Sequence, residues 1–157
     1  MDILVWFEAS AIANWIRTVP WVYPALESAH YIGLAMLVGS IMIIDLRLLG
    51  FARLLPLKSV IGLVPWVWAG FIVNAISGGL IFIYGATGFA GNKAFQLKMV
   101  LMLLAGINAL IFTLATRRAD ADWLESGAAP LAIKSVATAS FILWLGVVTA
   151  GRWMAYI

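Results

Sequence analysis

The chain carries one histidine, His30, and places it inside the apolar run ALESAHYIGLAMLVGSIMIIDLRLLG, three residues after Glu27. Imidazole ligates metals through a neutral nitrogen and titrates near neutral pH, and a carboxylate at i−3 on a helix lies on the same face, where it can orient the ring or take its proton. Hydrocarbon tolerates ionisable side chains only where something compensates them, so this pair marks a candidate site. Lys98 near the start of a third apolar segment and Arg152 near the end of a fourth join it by topology, because consecutive spans alternate in direction and bring all four residues to one membrane face. Glu27, His30, Lys98 and Arg152 are therefore expected to converge on one polar pocket, with Met99, Met102 and Met154 at similar depth and Tyr84 at the same face. The plainer alternatives are that Lys98 and Arg152 snorkel to the headgroups, that Glu27 answers a helix dipole, and that His30 makes an interhelical hydrogen bond.

The elements that must position these groups follow from composition. With 64% hydrophobic residues, 11% charged and a mean hydropathy of +1.04, the sequence is far more apolar than soluble domains, where about a quarter of residues are charged. Four segments of about 20 residues or more, the length that crosses about 30 Å of hydrocarbon, read as spans over roughly 25–49, 60–84, 95–116 and 131–156. The expected fold is all-α: one integral-membrane four-helix bundle occupying 1–157. Pro24, Ser59, the turn Gly85–Asn92 and Pro130 punctuate the spans, and most of the Trp and Tyr residues cluster at their ends as aromatic belts do. Residues 2–17 place Ser10, Asn14 and Arg17 at i, i+4 and i+7 against an apolar remainder, the pattern of an amphipathic helix lying in the interface, here as a lid on the pocket. This stretch lacks a basic leader and contains Glu8, so it does not read as a signal peptide. The absence of Cys removes disulfides, thiolate metal sites and iron–sulfur clusters.

The connections between spans 1 and 2 and spans 3 and 4 hold Arg47, Arg53, Lys58, Arg117, Arg118 and Lys134, against Arg17, Lys93, Lys98 and Arg152 at the other face. That bias puts both termini outside, periplasmic in a bacterial inner membrane, and it accounts for the basic pI without a nucleic-acid partner. Asp45 and Arg47 close span 1 about 200° apart around the helix. Each then needs a partner elsewhere, and a salt bridge from Asp45 to Arg53, Lys58, Arg117 or Arg118 is expected to fix that end of the bundle. Asn74, Ser77 and Asn108 between the faces, together with Gly70, Gly78, Gly79 and the pairs Ala35/Gly39 and Gly146/Ala150, point to interhelical hydrogen bonds and close helix approach.

Glu27-Ser-Ala-His30, then Asp45-Leu-Arg-Leu-Leu-Gly50, then Phe95-Gln-Leu-Lys98 resemble a family of small bacterial four-span inner-membrane proteins of unknown function, over most of the chain. A more distant similarity is to the four-span membrane-bound protoporphyrinogen oxidases of the HemJ type and the copper-resistance membrane proteins of the CopD type, which also place a histidine in an early span and open a later one with F-x-x-K. The former likeness implies a haem-ligating role for His30 and a functional one for Lys98. Asn108 stands near where those relatives often carry another histidine, which bears against bis-histidine ligation.

The residues alone allow the same chemistry. A b-type haem needs an imidazole for iron, cations for its propionates and an apolar slot, which His30, Lys98, Arg152 and the aromatic residues supply. Copper(I) on His30 and methionine is the alternative, although no Met lies at a fixed short spacing from the histidine. A single histidine leaves the sixth iron position to Met, water, nothing or a second protomer. Against this redox class stand an accessory subunit of a larger membrane complex and a small oligomeric transporter or channel for protons or a solute.

Overall fold

Four helices long and apolar enough to cross a membrane organise the molecule, at mean hydropathies of 1.8–2.2. The computed structural model describes residues 2–118, 123 and 127–156, leaving the side chains of Arg117 and Arg118 undescribed, and among these residues there is no strand. The helices are α1 (Ile3–Glu8), α2 (Ala11–Thr18), α3 (Val22–Leu48), α4 (Leu57–Ile61), α5 (Val64–Tyr84), α6 (Ala86–Gly91), α7 (Lys93–Arg118) and α8 (Leu131–Trp153). The spans are α3, α4 with α5, α7 and α8. The chain is a multi-pass membrane protein, as its hydropathy requires.

Boundaries differ from the sequence reading where local hydrogen bonding decides them. The N-terminal stretch is two helices rather than one. Ser10 leaves the helical region and its hydroxyl accepts from the Ala13 amide at 3.2 Å, so α2 starts from its own N-cap. Span 1 begins at Val22 and takes Pro24 into its first turn, where the missing amide costs nothing. The turn expected at 85–92 contains the helical turn α6. Span 1 ends where Gly50, at φ +98°, lets its amide bond Arg47 O at 3.1 Å while the Phe51 amide bonds Leu46 O at 2.9 Å. This is a Schellman motif, and the left-handed residue it needs favours glycine.

The bundle consists of two helical hairpins. α3 packs on α5, α7 packs on α8, and α3 packs on α8 to join the pairs, while α5 meets α7 through the stacked rings of Phe82 and Phe95, centroids 5.5 Å apart. The first hairpin is very tight. A Cβ on Gly70 would lie 2.5 Å from the Leu37 amide nitrogen and 2.8 Å from Gly33 O, and one on Gly33 would lie 2.9 Å from the Asn74 nitrogen. Only two glycines permit this backbone-to-backbone crossing. Gly39 and Gly79, by contrast, have no neighbour within 4 Å of a Cβ, so the Ala35/Gly39 spacing marks no helix contact.

At the terminal face, α1 packs on α5 and α6, and α2 packs on α5 and α3. Arg17 fastens this cap: its guanidinium donates to Glu8 O at 2.8 Å and Tyr84 O at 2.7 Å, and lies 5.5 Å from the Tyr84 ring. At the opposite face Ile44, Leu48, Leu57, Val60, Ile133 and Ala137 close an apolar layer. Arg47, only 5% exposed, sits beside it and donates to Leu55 O at 2.7 Å and Gly127 O at 3.3 Å. The expected salt bridge at this end is absent among the described residues. Arg53 donates to Gly50 O, and Arg47 ties two connections together through carbonyls instead. The described parts of Arg117 and Arg118 do not extend to their side chains.

Candidate functional site

His30 sits half-buried on the α3 face that meets α5. One turn later Gly33 makes the close crossing with Gly70, and this proximity brings the ring against α5: a Cβ on Gly78 would stand 2.9 Å from His30 Cε1 and 3.3 Å from Nδ1. The absent side chain at Gly78 is thus the space the imidazole fills.

The hydrogen bonds around the ring favour one tautomer. His30 Nδ1 and Ser77 Oγ are 3.1 Å apart. A serine hydroxyl has one proton to donate, and Ser77 Oγ lies 2.6 Å from Val73 O, the carbonyl four residues back on its own helix. With that proton committed, Ser77 accepts from His30 Nδ1–H. The neutral imidazole then carries its lone pair on Nε2, which makes no hydrogen bond among the described residues. Asn74 Nδ2 donates to His30 O at 2.9 Å and locks the backbone at the same place. The structure therefore assigns the orienting role expected of Glu27 to Ser77. Asn74 and Ser77 share one face of α5, as their i, i+3 spacing predicts, and that face is the one His30 meets.

The remaining site residues separate. Lys98 is half-buried on α7 with its stem along Gly151 of α8, Nζ lying 3.8 Å from the position of a Gly151 Cβ, and it is near enough to His30 for their charges to interact. Glu27 does not bond His30; its carboxylate interacts with Tyr23, whose ring is 4.8 Å from that of Tyr84. Arg152 is exposed and turns to its own helix end, donating to Tyr156 Oη at 2.7 Å. Of the four residues expected in one pocket, none hydrogen-bonds another: His30 turns to Ser77, Glu27 to Tyr23 and Arg152 to Tyr156. Asn108 is a structural tie between α7 and α8, donating to Val136 O at 3.1 Å. Among the described residues no group of three His, Cys, Asp or Glu side chains is placed to hold a metal ion.

A family model matches residues 3–157. The chain belongs to DUF6644, a family of unknown function. No curated protein and no solved structure matches it.

Outside the spans, Glu8 of α1 accepts from the Thr87 amide at 2.8 Å and the Thr87 hydroxyl at 2.7 Å. These bonds, reinforced by Arg17, hold its carboxyl below the usual glutamate range. They clamp the N-terminal cap to the connection between α5 and α7.

Proposed function

We propose that this is a membrane redox protein of the bacterial inner membrane that holds a b-type haem through Nε2 of His30, with both termini periplasmic. The observation that carries this reading is the 3.1 Å contact between His30 Nδ1 and Ser77 Oγ. Ser77 accepts from Nδ1, so the nitrogen left over is an unengaged lone pair, the arrangement in which imidazole ligates a metal while a partner orients it. Bound haem would supply one-electron chemistry at its iron.

The residues fit such a group in part. His30 offers one ligand and Lys98 one cation suited to a propionate; Arg152 serves its own helix end, and no second imidazole exists in the chain. The chain's own contribution is then to aim one imidazole through Ser77 and to fix the backbone that carries it through Asn74. The similarity to four-span protoporphyrinogen oxidases supports the same role for His30 and Lys98.

An absorption spectrum of the purified protein, with and without added haemin, tests this directly. A Soret band that disappears in His30→Ala, while the variant still inserts in the membrane, is the expected result. A colourless protein whose spectrum with haemin equals that of the His30→Ala variant would overturn the reading. The orientation has its own test: an impermeant thiol reagent applied to intact cells should label a cysteine placed at Gly91 and not one placed at Leu54.

A further inference from the structure

The gap between α5 and α7 is a cavity of about 500 Å³, the size of pockets that take drug-sized molecules. Trp68 and Phe71 of α5 and Leu110 of α7 line it, yet are 61%, 40% and 58% exposed. Its mouth therefore faces the acyl chains rather than water. Its inner wall is formed by α3 and α8, and the largely apolar lining includes Asp45, with Ser140 and Trp144 on α8 and Asn108 and Thr113 on α7.

Asp45 is only 5% exposed. Ser140 is the hydroxyl closest in effect to the carboxyl, but Oδ2 is the one buried side-chain oxygen without a hydrogen-bond partner among the described residues. No Lys or Arg side chain among those residues lines the cavity, and the neighbouring Arg47 is spent on Leu55 O and Gly127 O. A buried carboxyl group with one oxygen unpartnered and no counter-charge is costly, and a positive group in the cleft would offset that cost. Aromatic faces at the mouth and wall, Trp68 and Trp144 above all, favour a cation over an uncharged group of the same shape.

We propose that this cleft binds a lipophilic ammonium ion, an alkyl or arylalkyl amine in its protonated form, which enters sideways from the bilayer and donates an N–H to Asp45 Oδ2. The apolar body of the ligand lies between α5 and α7. This site is separate from His30, which does not line the cavity.

The test uses the full chain in lipid nanodiscs, titrated calorimetrically with 4-phenylbutylammonium and with 4-phenylbutanol as the uncharged match, against empty nanodiscs to remove partitioning. Saturable binding of the amine is expected, at least tenfold tighter than the alcohol. It should weaken at least tenfold in Asp45→Asn and remain unchanged in His30→Ala. Gly106→Phe provides a second variant: Gly106 lines the cleft and has no atom within 4 Å of an added Cβ, so the ring should fill the space and abolish binding without crowding the backbone. Equal binding of amine and alcohol, full binding by Asp45→Asn with its helical circular dichroism intact, full binding by Gly106→Phe, or no saturable binding of the amine would each overturn the proposal.

Discussion

Replacing Gly70 by Ala would probe the geometry on which the histidine node depends. The new methyl carbon would start 2.5 Å from the Leu37 nitrogen and 2.8 Å from Gly33 O, both backbone atoms that no rotamer change can move. Ordinary contact begins at 3.4 Å, so α3 and α5 must separate by about 0.9 Å, since atoms inside that distance repel steeply. A shift of that size would carry the His30–Ser77 and Asn74–His30 bonds, now 3.1 and 2.9 Å, beyond useful length. Overpacking of this kind costs about 1–3 kcal/mol, and each interhelical hydrogen bond in a membrane is worth about 0.6 kcal/mol. A total near 2–4 kcal/mol is expected. Gly79→Ala is the matched control, because nothing lies within 4 Å of its Cβ; helix propensity there favours alanine by up to about 1 kcal/mol. Reversible unfolding in mixed micelles, followed by tryptophan fluorescence, would compare them. If Gly70→Ala proved no less stable than Gly79→Ala, the tight crossing and its role in seating His30 would be refuted.

Three other outcomes can be checked. Ser77→Ala should leave the chain folded but release the ring from one tautomer, so any chromophore held by His30 should bind at least tenfold more weakly or with an altered Soret position, a change visible by titration with haemin. Arg47→Lys should lower stability by about 1.5–3 kcal/mol, because an ammonium replaces a guanidinium that reaches two carbonyls at once; thermal unfolding measures it. The Glu8 clamp has a definite pH sign. Its carboxyl is held below the ordinary glutamate value of 4.5, so the clamp's contribution is complete above that value and disappears as pH falls through the lowered value. Hydrogen exchange in α1 should rise on that acid side, and Glu8→Gln should show raised exchange at neutral pH with little further dependence on acid.

Span number and approximate position were legible because they depend only on length and hydropathy, and the Asn74/Ser77 face was legible because i, i+3 polar residues on an apolar span have one place to go. Which way α3 turns was not legible. Its apolar residues cover the whole circumference, and a helix hydrophobic all round gives no stripe from which to read a buried face. The facing direction is set by Gly33 and Gly70, two residues whose signal is the absence of a side chain. Glu27 was a reasonable partner for His30 by spacing, but neighbours at i, i+3 must compete with a facing helix, and Ser77 is closer in space although 47 positions away. The salt bridge expected at Asp45 assumed that one of Arg53, Lys58, Arg117 and Arg118 would seek the carboxyl group. The guanidinium groups of Arg47 and Arg53 instead satisfy loop carbonyls, and the carboxyl group faces the opposite way, into the cleft.

α3 and α8 form the main seam between the two hairpins, and the Phe82–Phe95 stack closes them at the terminal face. His30, Asn74 and Ser77 belong to one hairpin, and Lys98 with Gly151 belongs to the other. A change in cleft width at this seam would move Lys98 relative to the ring while leaving the imidazole's own hydrogen bonds inside its hairpin.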